Sequence, residues 1–242
     1  ICFPKEIIKN LEKFFSKHQI SIDKFICSSY AKSFHYKENF TEFNRIAFID
    51  MGYEKTSIIF YENEKLKSFN VLSIGGHHIT KDISKILNLK IELSEKLKSN
   101  LNKNVIFSEE NKNSEIFEEE FLKIINEKRL SLELIKKIIF SRIEETLNLS
   151  FKLIDNNINS NKINELKIIL IGQGSKILDS NFIDMKETTP LVEEIDFFEE
   201  TVTNICESGL NLINGNNKQE VVIVPQKPKK IRLFERLFYI FK

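Results

Sequence analysis

Between Arg45 and Leu89 the sequence reads RIAFIDMGYEKTSIIFYENEKLKSFNVLSIGGHHITKDISKILNL, and this run constrains the fold more than any other. RIAFID, TSIIFYE and KLKSFNVLSI are rich in strand-forming residues and are joined by links too short for a crossover, so they predict an antiparallel meander. Glu62 to Glu64 is the expected turn between the second and third strands. Gly75 and Gly76 end the meander, and Ile79, Ile83, Ile86 and Leu87 then recur at helical spacing.

The flanking segments add helices and one more strand. PKEIIKNLEKFFSKHQ carries Ile7, Ile8, Leu11, Phe14 and Phe15 on one helical face, with Pro4 near its first turn. SIDKFICSS reads as a short strand leading through polar residues to Arg45. IELSEKLKSNL predicts a helix, whereas Asn104 to Asn126, rich in Glu, Asn and Ser, reads as irregular structure with at most an edge strand. LSLELIKKIIFSRIEETLNLSFKLIDN predicts a long helix from its period and its strong helix formers. LKIILIG is a continuous apolar run of the kind found in fully buried strands, and it opens onto Gly172-Gln173-Gly174-Ser175. Phe197 to Ile213 reads as a last amphipathic helix, followed by the linker-like NGNNKQEVVIVPQKPKK.

Composition excludes some function classes. With 36 basic against 35 acidic residues, the net charge of +1 gives no electrostatic footprint for nucleic acid. Cys2, Cys27 and Cys206 are too far apart in sequence for a zinc or redox motif and are expected to be reduced thiols. No apolar stretch approaches the roughly 20 residues of a spanning helix, so a cytoplasmic location is expected. The chain opens on Ile1 and enters a helix almost at once, as the C-terminal part of a longer protein would.

Three short segments carry candidate chemistry. Asp50-Met51-Gly52-Tyr53-Glu54-Lys55-Thr56 has the spacing DxGxxxT at a strand-to-strand turn. Gly52 would let backbone approach a phosphate, turn amides and the Thr56 hydroxyl would donate to it, and Asp50 would hold a metal-bound water. A plain hairpin with an acid before it accounts for the same residues. Gly172, Gly174 and Ser175 after a buried strand suit a flat ligand such as adenine, or simply turn the chain. Glu95 and Lys98 share a helical face, where they would meet ribose hydroxyls and an adenine edge, or one another as an ion pair.

Taken in order, these segments resemble the actin-like ATPase fold, and the similarity is closest to the FtsA family of bacterial cell-division proteins. AFIDMGYEKTSIIFYENEKLKSFNVLSIGGHHITKDISKIL resembles that family's phosphate-binding hairpin, third strand, IGG turn and following helix; SEKLK resembles its adenosine-side helix; LIGQGS resembles its second glycine loop. Tyr53 and Glu54 depart from the family's glycines, and Ser57 replaces its last acid. The implied fold is α/β, a partial actin-like ATPase (ribonuclease H-like) fold. Residues 1–44 would end a first domain, and 45–213 would form a second with a small helical subdomain inserted at about 90–163. A linker would occupy 214–228. The resemblance further implies ATP with Mg as cofactor at Asp50, Gly52, Thr56, Glu95, Lys98, Gly172, Gly174 and Ser175. Hydrolysis does not follow from it.

The tail KKIRLFERLFYIFK is legible without any family. At about 100° per residue, Ile231, Leu233, Phe234, Leu237, Phe238, Ile240 and Phe241 gather on one side, with Arg232, Glu235, Arg236, Tyr239 and Lys242 on the other. Pro225 and Pro228 separate this helix from the body. Docking on the protein's own core, binding to a partner and lying in a membrane surface all suit such a helix. The clustered cations at the end of a polar linker favour the membrane, where Ile231, Leu233, Phe234, Leu237, Phe238 and Phe241 would enter lipid.

The resemblance implies a tether: a peripheral protein on the cytoplasmic side of the membrane at the division site, holding the C-terminal peptide of the tubulin-like FtsZ polymer and able to self-associate. Arg142 and Glu145 match the family's R-x-x-E positions for that peptide. The competing expectations are an actin-fold ATPase, such as a chaperone or sugar kinase, and a pilus-assembly adaptor of the PilM kind.

Overall fold

The computed structural model describes residues 5–104, 119–155, 166–177, 194–198 and 200–214. In chain order the elements are α1 (Lys5–Ser16), α2 (Ser28–Tyr36), a 3-10 turn (Lys37–Phe40), β1 (Arg45–Met51), β2 (Thr56–Glu62) and β3 (Lys65–Leu72). They continue with α3 (Gly76–Leu87), α4 (Ile91–Asn104), α5 (Glu119–Lys128), α6 (Leu132–Asp155), β4 (Leu166–Ile171), a second 3-10 turn (Gln173–Ile177), β5 (Glu194–Phe197) and α7 (Val202–Asn214).

The five strands form one mixed sheet in the order β3-β2-β1-β4-β5. The expected meander is present: β1 runs antiparallel to β2, and β2 to β3. Asn63 and Glu64 both take positive φ, 50° and 62°, which gives the tight two-residue connection that matches strand twist. The expected buried strand is β4, which lies on the other side of β1 and parallel to it, and β5 continues parallel beyond β4.

Strand alternation sorts the core onto two faces. Ala47, Ile49 and Met51 of β1 join Ile58, Phe60, Ile168 and Leu170 against α3, α4 and α6. Ile46 and Phe48 join Ile59, Tyr61, Ile169 and Ile171 on the opposite face, with Tyr36 of α2. Each such fully buried Phe or Ile stabilises the fold by about 1.5–3 kcal/mol. The 24 residues of α6 bury Ile135, Ile138, Ile139, Ile143, Leu147, Phe151 and Ile154 at steps of one, three or four, the period read from the sequence.

Three expectations are corrected. Residues 21–27 form no strand, because the stretch finds no ladder partner among the described residues; the chain runs without regular structure to α2, a helix not expected from the sequence. Of Asn104 to Asn126, expected to be irregular, residues 119–126 belong to α5, while 105–118 lie outside the described residues. The last helix starts at Val202 rather than Phe197, since 194–197 pair with β4 as a strand. Its start is fixed by reciprocal capping: the Thr201 amide donates to Asn204 Oδ1 at 2.9 Å and the Asn204 amide to Thr201 Oγ1 at 3.2 Å. The expected linker from 215 onward and the tail helix 229–242, with Ile231, Leu233, Phe234, Leu237, Phe238 and Phe241, lie outside the described residues.

Candidate functional site

β1 and β4 run parallel side by side, so the loops after both leave the sheet at the same edge. Ligands of open α/β sheets gather at such carboxyl ends. Here β1 leads into the Gly52–Lys55 turn and β4 into the Gly172–Ser175 loop.

The first turn is closed by the Gly52 amide donating to Lys55 O at 2.9 Å. Thr56 Oγ1 donates to Ile74 O at 2.8 Å, tying the turn to the end of the meander. The N-terminus of α3 then docks onto the turn, the Gly76 amide donating to Gly52 O at 2.9 Å and the His77 amide to Tyr53 O at 2.7 Å. Two amides that a helix start leaves without intrahelical partners are satisfied in this way. The approach demands glycine at 75, where a Cβ would sit 2.5 Å from Tyr53 O and 2.6 Å from Gly52 O. Tyr53 and His77 cover the junction with stacked rings, centroids 4.8 Å apart.

The second loop is pressed against β1. Gly172 has φ +89°, and a Cβ there would lie 2.7 Å from Met51 O; one at Gly174 would lie 2.8 Å from the same oxygen. Ser175 Oγ closes the loop by donating to Gly172 O at 2.6 Å.

Lys98 reaches this edge from α4. Its buried ammonium donates to Gly76 O at 3.0 Å, Thr80 Oγ1 at 2.8 Å and Glu95 Oε2 at 2.8 Å. The Thr80 hydroxyl donates in turn to Glu95. Burial pushes the Glu95 carboxyl up, but Lys98 and Thr80 together outweigh it and hold the group below the ordinary carboxylate range. Glu95 still presents a side chain 41% exposed at the rim. α4 also touches the Gln173–Ile177 turn. Asp50, Gly52, Thr56, Glu95, Lys98, Gly172, Gly174 and Ser175 are therefore gathered at one end of the sheet, although they come from three distant segments.

Arg142 and Glu145 sit apart from this edge on α6. The Arg142 guanidinium engages Asp82 of α3 and, through Nη1, Glu145 Oε2 at 2.5 Å.

Three residues at the edge were not read from the sequence. Asp50 has the same parity along β1 as Ile46 and Phe48, so it faces α2, and there it meets Lys32 at 2.9 Å. The same ammonium lies 2.9 Å from Glu200 Oε2, which also accepts from the Gly172 amide at 2.9 Å. Tyr36 lies within reach of the Glu200 charge, its hydroxyl pushed up to about 12 by burial first and by Glu200 second. No sequence pattern marks Lys32, a lone charge in a helix without an apolar stripe.

A nucleotide fits part of this arrangement. The half-exposed Glu95 carboxylate, beside a glycine loop at the same rim, is an acceptor for sugar hydroxyls, whereas the three donors of Lys98 are already taken by Gly76 O, Thr80 Oγ1 and Glu95 Oε2. A magnesium-bound water at Asp50 does not fit, because a buried ammonium already holds that carboxylate.

Solved structures define the class. MreB 5 of Spiroplasma citri bound to AMPPNP superposes with a TM-score of 0.58 at 15% identity, covering 85% of this chain and 62% of that one. The ADP-bound form gives 0.57 at 16% identity, covering 87% and 67%. The chain thus has the actin-like fold.

Sequence comparison narrows the class to a family. The family described as "Cell division protein FtsA" matches residues 47–219, and the chain belongs to it. FtsA of Helicobacter pylori strain 26695 is 31% identical over 94 residues, 39% of this chain and 19% of that protein. FtsA of Bacillus subtilis strain 168 is 33% identical over 102 residues, 42% and 23%. FtsA of Enterococcus faecalis strain V583 is 29% identical over 153 residues, 63% and 34%. The chain spans about a third or less of the length of these relatives.

Proposed function

We propose that this chain is part of a tether that holds the FtsZ ring to the cytoplasmic face of the cell membrane. The observation that carries the reading is membership of the FtsA cell-division family through residues 47–219. In this reading 1–44 end a first actin-like domain, 45–213 form the second with its small subdomain at about 90–163, 214–228 are a linker, and 229–242 are the lipid-binding helix. The alternation of rings and cations in KKIRLFERLFYIFK supports that last assignment. One such helix binds reversibly, so attachment becomes durable when several copies act together on a polymer.

The acidic C-terminal peptide of FtsZ would meet α6 at Arg142 and Glu145. Arg142 already holds two carboxylates, so the peptide competes with Asp82 and Glu145 for the guanidinium fork. Nucleotide would bind at the edge of the sheet, with Glu95 and Lys98 toward the sugar and the Gly52 turn and Gly172 loop toward the phosphates, and would tune self-association. No helix among the described residues is long and apolar enough to cross a membrane.

Fluorescence anisotropy of a labelled FtsZ tail peptide tests the partner. Saturable binding that weakens at least severalfold in Arg142→Ala is expected. Equal binding by the two proteins would remove Arg142, and no binding by either would remove the partner.

A further inference from the structure

The strongest feature not expected from the sequence is the buried charge cluster that joins Asp50 to Lys32 and Glu200 under the glycine loop. Lys32 and Glu200 are 4% exposed and Asp50 is 7% exposed, so three ionisable groups are withdrawn from water together. The Lys32 ammonium lies 2.9 Å from Asp50 Oδ2 and 2.9 Å from Glu200 Oε2. Glu200 Oε1 and the Tyr36 hydroxyl have no hydrogen-bond partner among the described residues. Two buried carboxylates this close must share a proton, hold a metal ion or be neutralised by a cation of the protein's own.

We propose that Lys32 is the resident cation of this site: its ammonium takes at Asp50 and Glu200 the place of a divalent ion, so that no metal ion binds at Asp50. An ammonium offers three donors in a compact charge, enough to bridge both carboxylates. Magnesium would need near-octahedral oxygen ligands at about 2.0–2.1 Å, and the ammonium already lies against Asp50 Oδ2 and Glu200 Oε2. The arrangement is also mechanical. Lys32 joins α2 to the end of β1 and, through Glu200 and the Gly172 amide, to the second glycine loop. The inference stands on the fold and these contacts and does not depend on the tether reading.

The test compares the wild type with Lys32→Ala, Asp50→Asn and the double variant Lys32→Ala/Glu200→Gln, reading bound manganese from the loss of the free-ion paramagnetic resonance signal and the melting temperature in EDTA or manganese. The wild type is expected to bind no more manganese than Asp50→Asn and to melt at the same temperature in either condition. Lys32→Ala, with two uncovered carboxylates, is expected to melt lower in EDTA, to bind one more manganese ion than the wild type and to be raised by it. The double variant, with one carboxylate neutralised, is expected to recover stability without responding to manganese. A wild type that binds an ion lost in Asp50→Asn overturns the proposal. If Lys32→Ala fails to fold, that wild-type comparison and the double variant still decide it.

Discussion

The Arg142 guanidinium lies along the Asp82 carboxylate, Nε to Oδ2 at 2.6 Å and Nη2 to Oδ1 at 3.0 Å, so two hydrogen bonds latch α6 to α3. Both side chains are about one quarter exposed. Such forked pairs are stronger than a point contact, and Arg142→Ala is expected to cost about 1–2 kcal/mol in urea unfolding. Asp82→Asn weakens the latch but frees the fork. If the FtsZ peptide uses this arginine, Asp82→Asn binds it more tightly than the wild type while being less stable; a parallel loss of binding and stability would mean the latch is purely structural.

Gly172 and Gly209 predict opposite responses to alanine. At Gly172 the positive φ and the contact with Met51 O make a Cβ strained, and Gly172→Ala is expected to lose about 1–3 kcal/mol. Gly209 lies within α7 with nothing within 4 Å of its would-be Cβ, so Gly209→Ala is expected to gain up to about 1 kcal/mol. Urea midpoints of the two variants check the pair.

The Glu95–Lys98–Thr80 cluster predicts an acid response. Because the folded-state value of Glu95 is depressed, its contribution is present above the ordinary carboxylate range and is lost as pH falls through the folded value. Glu95→Gln should therefore be less stable than the wild type at neutral pH, with the difference closing in acid. A difference constant with pH would show that the ionised form is not the one held by Lys98.

Tyr36 predicts the alkaline counterpart. Its hydroxyl is raised from 10.0 to about 12, so its contribution is complete below the ordinary tyrosine value and is lost as pH climbs through the folded one. Phenolate absorbance is expected to include a late step assignable to Tyr36, removed in Tyr36→Phe. A titration unchanged by that substitution would contradict the burial argument.

What the sequence revealed follows from periodicity. The meander, α3, α4 and α6 carry regular apolar spacing, β4 is a continuous apolar run, and the glycine loops could be placed from the strands before them. α2 was hidden because half of its buried residues are polar: Ser29, Lys32 and Ser33 lie inside beside Ala31, Phe34 and Tyr36, with Ser33 Oγ 3.0 Å from Tyr61 Oη and Ser29 Oγ donating to Ser57 Oγ at 3.2 Å. A polar residue satisfied by a distant partner leaves no periodic trace. β5 escaped notice because it is four residues long and is defined by its pairing with β4. The same blindness hid Lys32 and Glu200, which are 168 residues apart and meet only once the sheet is formed.

Vesicle flotation with FtsZ polymers measures the central claim most directly. With anionic vesicles, FtsZ is expected to float only when the intact chain is present, and to stay at the bottom of the gradient when Lys229 to Lys242 are removed or when Leu233, Phe234 and Phe238 are changed to serine. Flotation of FtsZ that survives loss of the tail, or an intact chain that leaves FtsZ behind, would contradict the account.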